Sequence, residues 1–171
     1  MSRVLVALRI KTTPERAFEA FTREIAQWWR PNLLFSFTGQ DTRALRFEPG
    51  VGGRFLMTLR DGSEFEIGRV QLWEPPSELA FSWRQRSFAP EQSTHVRVRF
   101  EAVLRDTPGS DIPGSDTASS ETRVTVEHTA WDTIPQKHVA RHGFPLHVFQ
   151  LRHAEWWQAL LATLAQHATR T

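Results

Sequence analysis

The chain has 171 residues, including 21 Lys and Arg, 19 Asp and Glu, 7 Trp, 12 Phe, no Cys and no Tyr. This size suits one globular domain that buries enough apolar surface to fold without a disulfide or a metal. The lack of cysteine excludes disulfides, Cys-based zinc sites, iron–sulfur clusters and thiol chemistry. The net charge of only +2, with the arginines scattered along the chain, argues against a nucleic-acid partner.

The first segment is typical of a strand that leads into a helix. Apolar residues alternate with other residues from Val4 to Ile10, which is the period of a strand with one buried face. Thr13 can cap a helix that begins at Pro14. A second short helix is expected to follow and to end at Pro31.

The sequence does not indicate secretion or membrane insertion. Arg9 and Lys11 interrupt the first apolar stretch, and no small-residue cleavage site follows it. No run approaches the ~20 apolar residues that a membrane span needs. We therefore expect a soluble, cytoplasmic protein.

A period of two returns from about residue 42 to residue 131 and predicts a meander of antiparallel strands. Turn signals at Asp61-Gly62 and at residues 74–77 separate the strands. The apolar face changes phase at Gly68, which predicts a β-bulge there. Residues 106–121 contain Pro-Gly-Ser-Asp twice and almost nothing to bury, so they are predicted to form a long, mobile hairpin loop.

The last part of the chain predicts a long amphipathic helix. A short helix is expected between Asp132 and Gly143, and the long helix is expected to begin near Pro145. Its apolar stripe contains Phe149, His153, Trp156, Leu160 and Leu164. A curved antiparallel sheet of about six or seven strands, wrapped around this helix, would bury one apolar face of each element. The expected fold is one α+β domain over residues 1–171, with two short helices after strand 1.

Several motifs, in combination, resemble one known family. They are Thr-Thr-Pro-Glu-Arg-Ala-Phe (12–18), Trp28-Trp29 before a proline, Glu-Pro-Gly-Val-Gly-Gly-Arg-Phe (48–55), the segment from Gly68 to Trp83, Thr-Val-Glu-His (125–128) and the Trp-containing terminal helix. They resemble the family of homologues of the activator of the heat-shock protein 90 ATPase. This family lies within the helix-grip START and birch-pollen-allergen-like (SRPBCC) superfamily. The resemblance covers essentially the whole chain and implies a helix-grip fold.

The helix-grip resemblance implies a cavity between the sheet and the long helix. Aromatic and apolar side chains on the predicted inner faces are candidates to line it around a small apolar or lipid-like ligand. These candidates are Phe55, Met57, Phe81, Trp83, Phe100, Phe149 and Trp156. Trp28 and Trp29 are expected at its mouth.

Two histidines also lie on predicted apolar faces. His128 continues the face of the last strand, and His153 lies on the stripe of the long helix. Each is either a buried neutral imidazole bonded to backbone or water, or a group that orients a ligand through its carbonyl or hydroxyl. His138 and His142 have the i, i+4 spacing of metal ligands on a helix, but no Glu accompanies them, and surface histidines are the preferred interpretation.

Three functional hypotheses follow. The leading hypothesis is a binding domain that encloses a small apolar molecule without catalysis, because the sequence contains no serine elbow, phosphate loop or other recognisable catalytic group. The second is a co-chaperone of the stress response, although the separate chaperone-binding domain of the eukaryotic activator has no counterpart in this sequence. The third is an enzyme similar to the superfamily's cyclases or dehydratases, with His128 or His153 as general base. No cofactor or metal is expected.

Overall fold

The computed structural model describes residues 2–29, 42–85, 87–103 and 120–170. Three helices are α1 (Pro14–Thr22), α2 (Ile25–Trp28) and α3 (Leu146–Ala168). Seven strands are β1 (Arg3–Ile10), β2 (Thr42–Phe47), β3 (Arg54–Leu59), β4 (Glu64–Glu74), β5 (Glu78–Trp83), β6 (Thr94–Ala102) and β7 (Thr122–Thr129).

The seven strands form one antiparallel sheet in the order β1-β7-β6-β5-β4-β3-β2. Strands β2 to β6 each pair with the next strand along the chain, so β2 to β7 form a meander. Strand β1 joins this meander at β7, and β2 lies at the opposite edge. The curved sheet and the long α3 confirm the predicted α+β, helix-grip architecture.

Helix α1 begins where the sequence predicts. The backbone N–H of Arg16 donates to Thr13 Oγ1 at 3.2 Å, and Pro14 is the first helical residue. This arrangement satisfies one of the backbone donors that the first turn of a helix leaves open. Ala17, Phe18 and Phe21 then face the interior, so the cap also sets which side of α1 is buried.

The predicted bulge at Gly68 is confirmed. Phe55 pairs with Gly68, and the next residue of β3 pairs with Glu66, so Ile67 is the extra residue. A Cβ on Gly68 would lie 1.7 Å from the carbonyl oxygen of Ser82, which leaves no space for a side chain. The glycine therefore allows β4 to bend while β5 stays close to it.

Helix α3 crosses the inner face of the sheet and follows Pro145, as predicted. It contacts β1 and also packs against α1 and α2. The buried residues of α3 are Phe149, His153, Trp156, Trp157, Leu160, Leu161, Leu164 and Ala168. None of the helices in the described part of the chain has the length and apolar character needed to cross a membrane.

The predicted short helix between Asp132 and Gly143 is wrong. That region contains two 3-10 turns, Trp131–Thr133 and Val139–Arg141. The residue that precedes Pro135 is extended, with φ −97° and ψ 117°, because a following proline disfavours helical backbone.

The i, i+4 argument therefore does not apply to His138 and His142. His138 Nδ1 accepts from the backbone N–H of Ala140 at 3.1 Å, and its Nε2 lies 2.9 Å from the carbonyl oxygen of Ser87. His142 closes the second turn with φ 52°. Apart from its last two residues, the predicted loop 106–121 lies outside the described residues.

Candidate functional site

Six of the seven tryptophans form one continuous cluster between the sheet and α3, which we call the tryptophan cluster. It consists of Trp28, Trp29, Trp83, Trp131, Trp156 and Trp157, joined by direct ring contacts or through the histidine rings between them. The ring of Trp29 lies 5.8 Å from that of Trp83 and 5.7 Å from those of Trp156 and Trp157. Trp29 is thus at the centre of the cluster.

Strand register and helix spacing bring the polar members of this region together. Trp83 pairs with Thr94, and Val96, two residues further along β6, pairs with His128. Because alternate residues of a strand face the same side, all of these side chains point toward α3. His153 on α3 meets them from the opposite side.

His128 and His153 are hydrogen-bonded to each other in the interior, and we call them the imidazole pair. His128 Nδ1 lies 2.9 Å from His153 Nε2, and the two rings are nearly perpendicular at 89°. Trp157 Nε1 lies 2.9 Å from His153 Nε2 and 3.2 Å from His128 Nδ1. Thr94 Oγ1 lies 2.8 Å from His128 Nε2 and donates to the carbonyl oxygen of Trp83 at 3.1 Å. His128, His153 and Thr94 are all fully buried.

The hydrogen-bond partners restrict where the protons of the imidazole pair can lie. When the Thr94 hydroxyl donates to the carbonyl oxygen of Trp83, it accepts from His128, so His128 then carries its proton on Nε2 and its Nδ1 is an acceptor. The tautomer of His153 then selects one of two arrangements. With its proton on Nε2, His153 donates to His128; with its proton on Nδ1, it accepts from Trp157.

Both imidazoles are neutral at pH 7. Burial lowers the pKa of His153 well below its usual 6.5. Burial is also the main cause of the lowered pKa of His128, followed by the nearby His153 and His95. The interior therefore contains two uncharged groups, and either can donate or accept a hydrogen bond according to its tautomer.

All nine residues predicted for the site are buried, but they do not form one group. They are Phe55, Met57, Phe81, Trp83, Phe100, His128, Phe149, His153 and Trp156. The structure brings five of them together around the imidazole pair, namely Trp83, His128, Phe149, His153 and Trp156.

The other predicted residues lie further along the sheet. Phe55 stacks on Phe47 at 4.2 Å and contacts Phe81 at 5.3 Å. Phe100 lies at the other end of the domain, 5.3 Å from Phe18. Met57 is buried on β3.

Sequence reasoning missed several members of the site. Trp28 and Trp29 were expected at the mouth of a cavity, but both are buried, with at most 4% of their surface exposed. Trp157 lies at the edge of the apolar stripe of α3. This position indicates that its ring is buried, but it does not indicate the hydrogen bonds of its Nε1. Thr94 is a polar residue two positions before Val96, on the same apolar face of the strand. That position could have indicated a buried hydroxyl near the site.

Two surface depressions lie away from the imidazole pair. One, of about 170 Å³, is on the outer face of the sheet around His95 and Arg97. The other, of about 400 Å³, lies between α1 and Trp73. Neither depression is lined by His128 or His153. Within the described ranges, no three His, Asp or Glu side chains form a group that could hold a metal ion.

The architecture and the buried site define a helix-grip domain, and comparison with known families identifies it further. The family described as "Activator of Hsp90 ATPase homolog 1-like protein" matches residues 11–108. This match covers more than half of the chain, and the protein belongs to that family. His128 and His153 lie outside the matched residues. No curated protein matches the chain.

Solved structures show the same fold over nearly the whole chain. An anthrahydroquino-gamma-pyrone synthase, Txn09, is 25% identical, with 97% of this chain and 96% of that chain covered and a TM-score of 0.54. An HSP90 activator from Plasmodium falciparum is 18% identical, with 96% and 94% covered and a TM-score of 0.58. CalC, a self-sacrificing resistance protein from Micromonospora echinospora, is 21% identical, with 97% and 93% covered and a TM-score of 0.56.

Proposed function

We propose that the protein binds a small, largely apolar molecule between the sheet and α3. In this proposal the tryptophan cluster contacts the apolar body of the ligand, and the imidazole pair orients it through a carbonyl or hydroxyl group. The observation that carries the proposal is the hydrogen bond between His128 and His153 at the centre of an aromatic interior.

The imidazole pair is costly for a domain that needs only a stable core. Each buried polar group loses its hydration, and hydrogen bonds inside the protein compensate this loss only in part. Two leucines of similar size would fill the same space without that cost. Polar groups that reduce stability in this way are concentrated at functional sites.

The geometry of the pair suits a polar group on an apolar ligand. His153 can present an N–H to a ligand carbonyl, or a lone pair to a ligand hydroxyl, by changing tautomer. In either case the ligand oxygen would replace the bond between the two imidazoles. The flat faces of Trp29, Trp83 and Trp156 favour a planar ligand, because aromatic rings stack on one another.

One structural neighbour supports the same class of ligand. Txn09 is named as a synthase of an anthrahydroquino-gamma-pyrone, which is by its name a fused-ring compound. A planar, fused-ring molecule with a ring carbonyl or hydroxyl is therefore the ligand class to test first.

The experiment is a titration followed by tryptophan fluorescence. The chain contains no tyrosine, and its tryptophans surround the proposed site, so a bound quinone or flavone should quench the emission. We expect His128→Leu and His153→Leu each to weaken binding about tenfold, the value of one good hydrogen bond. His95→Leu on the exposed outer face of β6 is the matched control and should bind as the wild type does. Equal affinity in the wild type and both interior variants would contradict the proposal.

Native mass spectrometry of the protein purified from its own host gives a second test that needs no variant. A stoichiometric apolar adduct, released on denaturation, would support the proposal and identify the ligand.

The family name gives a second candidate, a co-chaperone that stimulates a heat-shock chaperone ATPase. The ATPase rate of the host's own chaperone, measured with and without this protein, distinguishes the two. Stimulation that is unchanged in His128→Leu, together with an absence of ligand binding, would favour the co-chaperone.

A further inference from the structure

A buried arginine lies next to the start of α3 and has no acidic partner among the residues that the structure describes. Arg141 has only 4% of its surface exposed. Its two terminal nitrogens donate to the carbonyl oxygens of Ile134 and Phe144, each at 2.9 Å. Its guanidinium carbon lies 5.2 Å from the centre of the Phe149 ring. The side chain is therefore fixed in position by two backbone carbonyls and one aromatic ring.

The charge of Arg141 is not compensated by these contacts. No Asp or Glu of the described ranges forms an ion pair with it, and its Nε–H has no acceptor there. Burial lowers the pKa of Arg141, with no acidic group acting in the opposite direction. Buried cations in proteins are normally paired with an anion, because an unpaired buried charge is strongly unfavourable. An anion at this position would remove that cost.

A second buried donor lies in a neighbouring segment. Gln85, just after β5, also has 4% of its surface exposed, and its amide Nε2 has no acceptor in the described part of the chain. The segment that follows it contacts the turn of Arg141. His138 Nε2 is 2.9 Å from the carbonyl oxygen of Ser87, and the backbone N–H of Arg141 donates to the carbonyl oxygen of His138.

The start of α3 adds a third favourable feature. Its first turn has no acidic residue and no side-chain cap. Arg141 bonds the carbonyl of Phe144, two residues before the first residue of α3. The positive end of a 23-residue helix therefore lies beside the uncompensated guanidinium, and both favour a negative charge.

We propose that Arg141, with Gln85 and the start of α3, holds a carboxylate of the bound molecule. This inference rests on the proposed function and narrows its ligand to an apolar acid. The Phe149 ring connects the two ends of the site, because its centre is 5.2 Å from the Arg141 guanidinium carbon and 5.5 Å from the His153 ring. A carboxylate at Arg141 thus leaves the body of the ligand beside Trp131 and the imidazole pair.

The test uses two probes with the same ring system, anthraquinone-2-carboxylate and its uncharged methyl ester. Their dissociation constants for the intact protein are measured by quenching of tryptophan fluorescence. We expect the wild type to bind the carboxylate at least about tenfold more tightly than the ester, since hydrogen bonds to a charged group are the stronger kind.

Substitutions in the proposed site test which residues cause the preference for the carboxylate. Arg141→Met should abolish this preference, measured as the ratio of the two dissociation constants, and Gln85→Leu should reduce the ratio severalfold. Arg152→Met removes an exposed arginine of α3 and is the matched control, which should keep the full preference. If Arg141→Met does not fold, the wild type and Gln85→Leu still decide the question.

Each outcome has a distinct meaning. Equal binding of both probes by the wild type overturns the carboxylate site and leaves the proposed function in place. A preference that Arg152→Met loses as fully as Arg141→Met also overturns it, because overall charge would then be the cause. Binding of neither probe contradicts the proposed function itself for this ligand class.

Discussion

The imidazole pair should make the stability of the protein strongly dependent on pH between 7 and 5. Burial lowers the pKa of His128 and of His153 well below 6.5 in the folded protein, whereas both titrate near the usual value after unfolding. The unfolded chain therefore binds more protons over this range. The stability is fully present above about pH 6.5 and is lost as the pH falls from there toward the lower pKa values of the folded state.

The size of the effect follows from linkage. Well below pH 6.5, each imidazole that stays neutral in the folded state costs about 1.4 kcal/mol of stability per pH unit. Two such groups remove about 4 kcal/mol between pH 7 and pH 5. This is a large fraction of the roughly 5–15 kcal/mol that stabilises a typical domain.

Urea unfolding at pH 7, 6 and 5, followed by tryptophan fluorescence, measures the effect directly. The double variant His128→Leu/His153→Leu should lose the pH dependence, because neither leucine titrates. His147→Leu, at an exposed position of α3, should retain the wild-type dependence and serves as the control. Each single variant should lose about half of it.

A pH dependence that persists unchanged in the double variant would refute this reasoning. It would mean that other groups cause the loss of stability, or that the imidazoles titrate normally in the folded protein.

Three further predictions concern the stability of the helices and strands that hold the site. Glu24 accepts from Arg16 and His167, and mainly the Arg16 hydrogen bond lowers its pKa below 4.5. Its contribution to stability is therefore present above pH 4.5 and lost as the pH falls through the lower folded value. Glu24→Gln should lower the free energy of unfolding by about 1–3 kcal/mol at pH 7, and this free energy, measured by urea unfolding, should then depend less on pH between 5 and 3. A variant with the same pH dependence as the wild type over this range would contradict the prediction. Gly68→Ala places a Cβ against the β5 backbone and should lower the free energy of unfolding by about 3 kcal/mol or more in the same assay. A variant with the urea midpoint of the wild type would show that β4 and β5 can move apart to accept the side chain. Thr13→Ala removes the side-chain cap of α1 and should lower the free energy of unfolding by about 1 kcal/mol, measured by thermal unfolding. An unchanged melting temperature would show that the cap does not stabilise the domain.

The sequence was sufficient for the features that depend on neighbouring residues. Alternation from Val4 to Ile10 predicted β1, Thr13-Pro14 predicted the start of α1, and the phase change at Gly68 predicted the bulge. Each of these signals lies within a few residues of the structure that it specifies. The side of each element that faces the interior follows from the same local periods.

The members of the site were harder to predict because they come from elements far apart in the chain. The hydrogen bond of His153 to His128 joins residues 25 positions apart, and that of Thr94 to His128 joins residues 34 positions apart. Periodicity placed both histidines on inner faces but did not indicate that they meet. The central position of Trp29 depends on where α2 packs against α3, and its sequence neighbourhood contains no signal for that packing.

Stability and binding together decide what the imidazole pair is for. At pH 5 the double leucine variant should be more stable than the wild type, because it avoids the proton-linked loss of about 4 kcal/mol. If the pair serves a ligand, the same variant should bind it more weakly, so the two properties change in opposite directions. A variant that is more stable and binds equally well would show that the histidines have no role in recognition. Greater stability with weaker binding is the result that a purely structural pair cannot produce, provided that His147→Leu changes neither property.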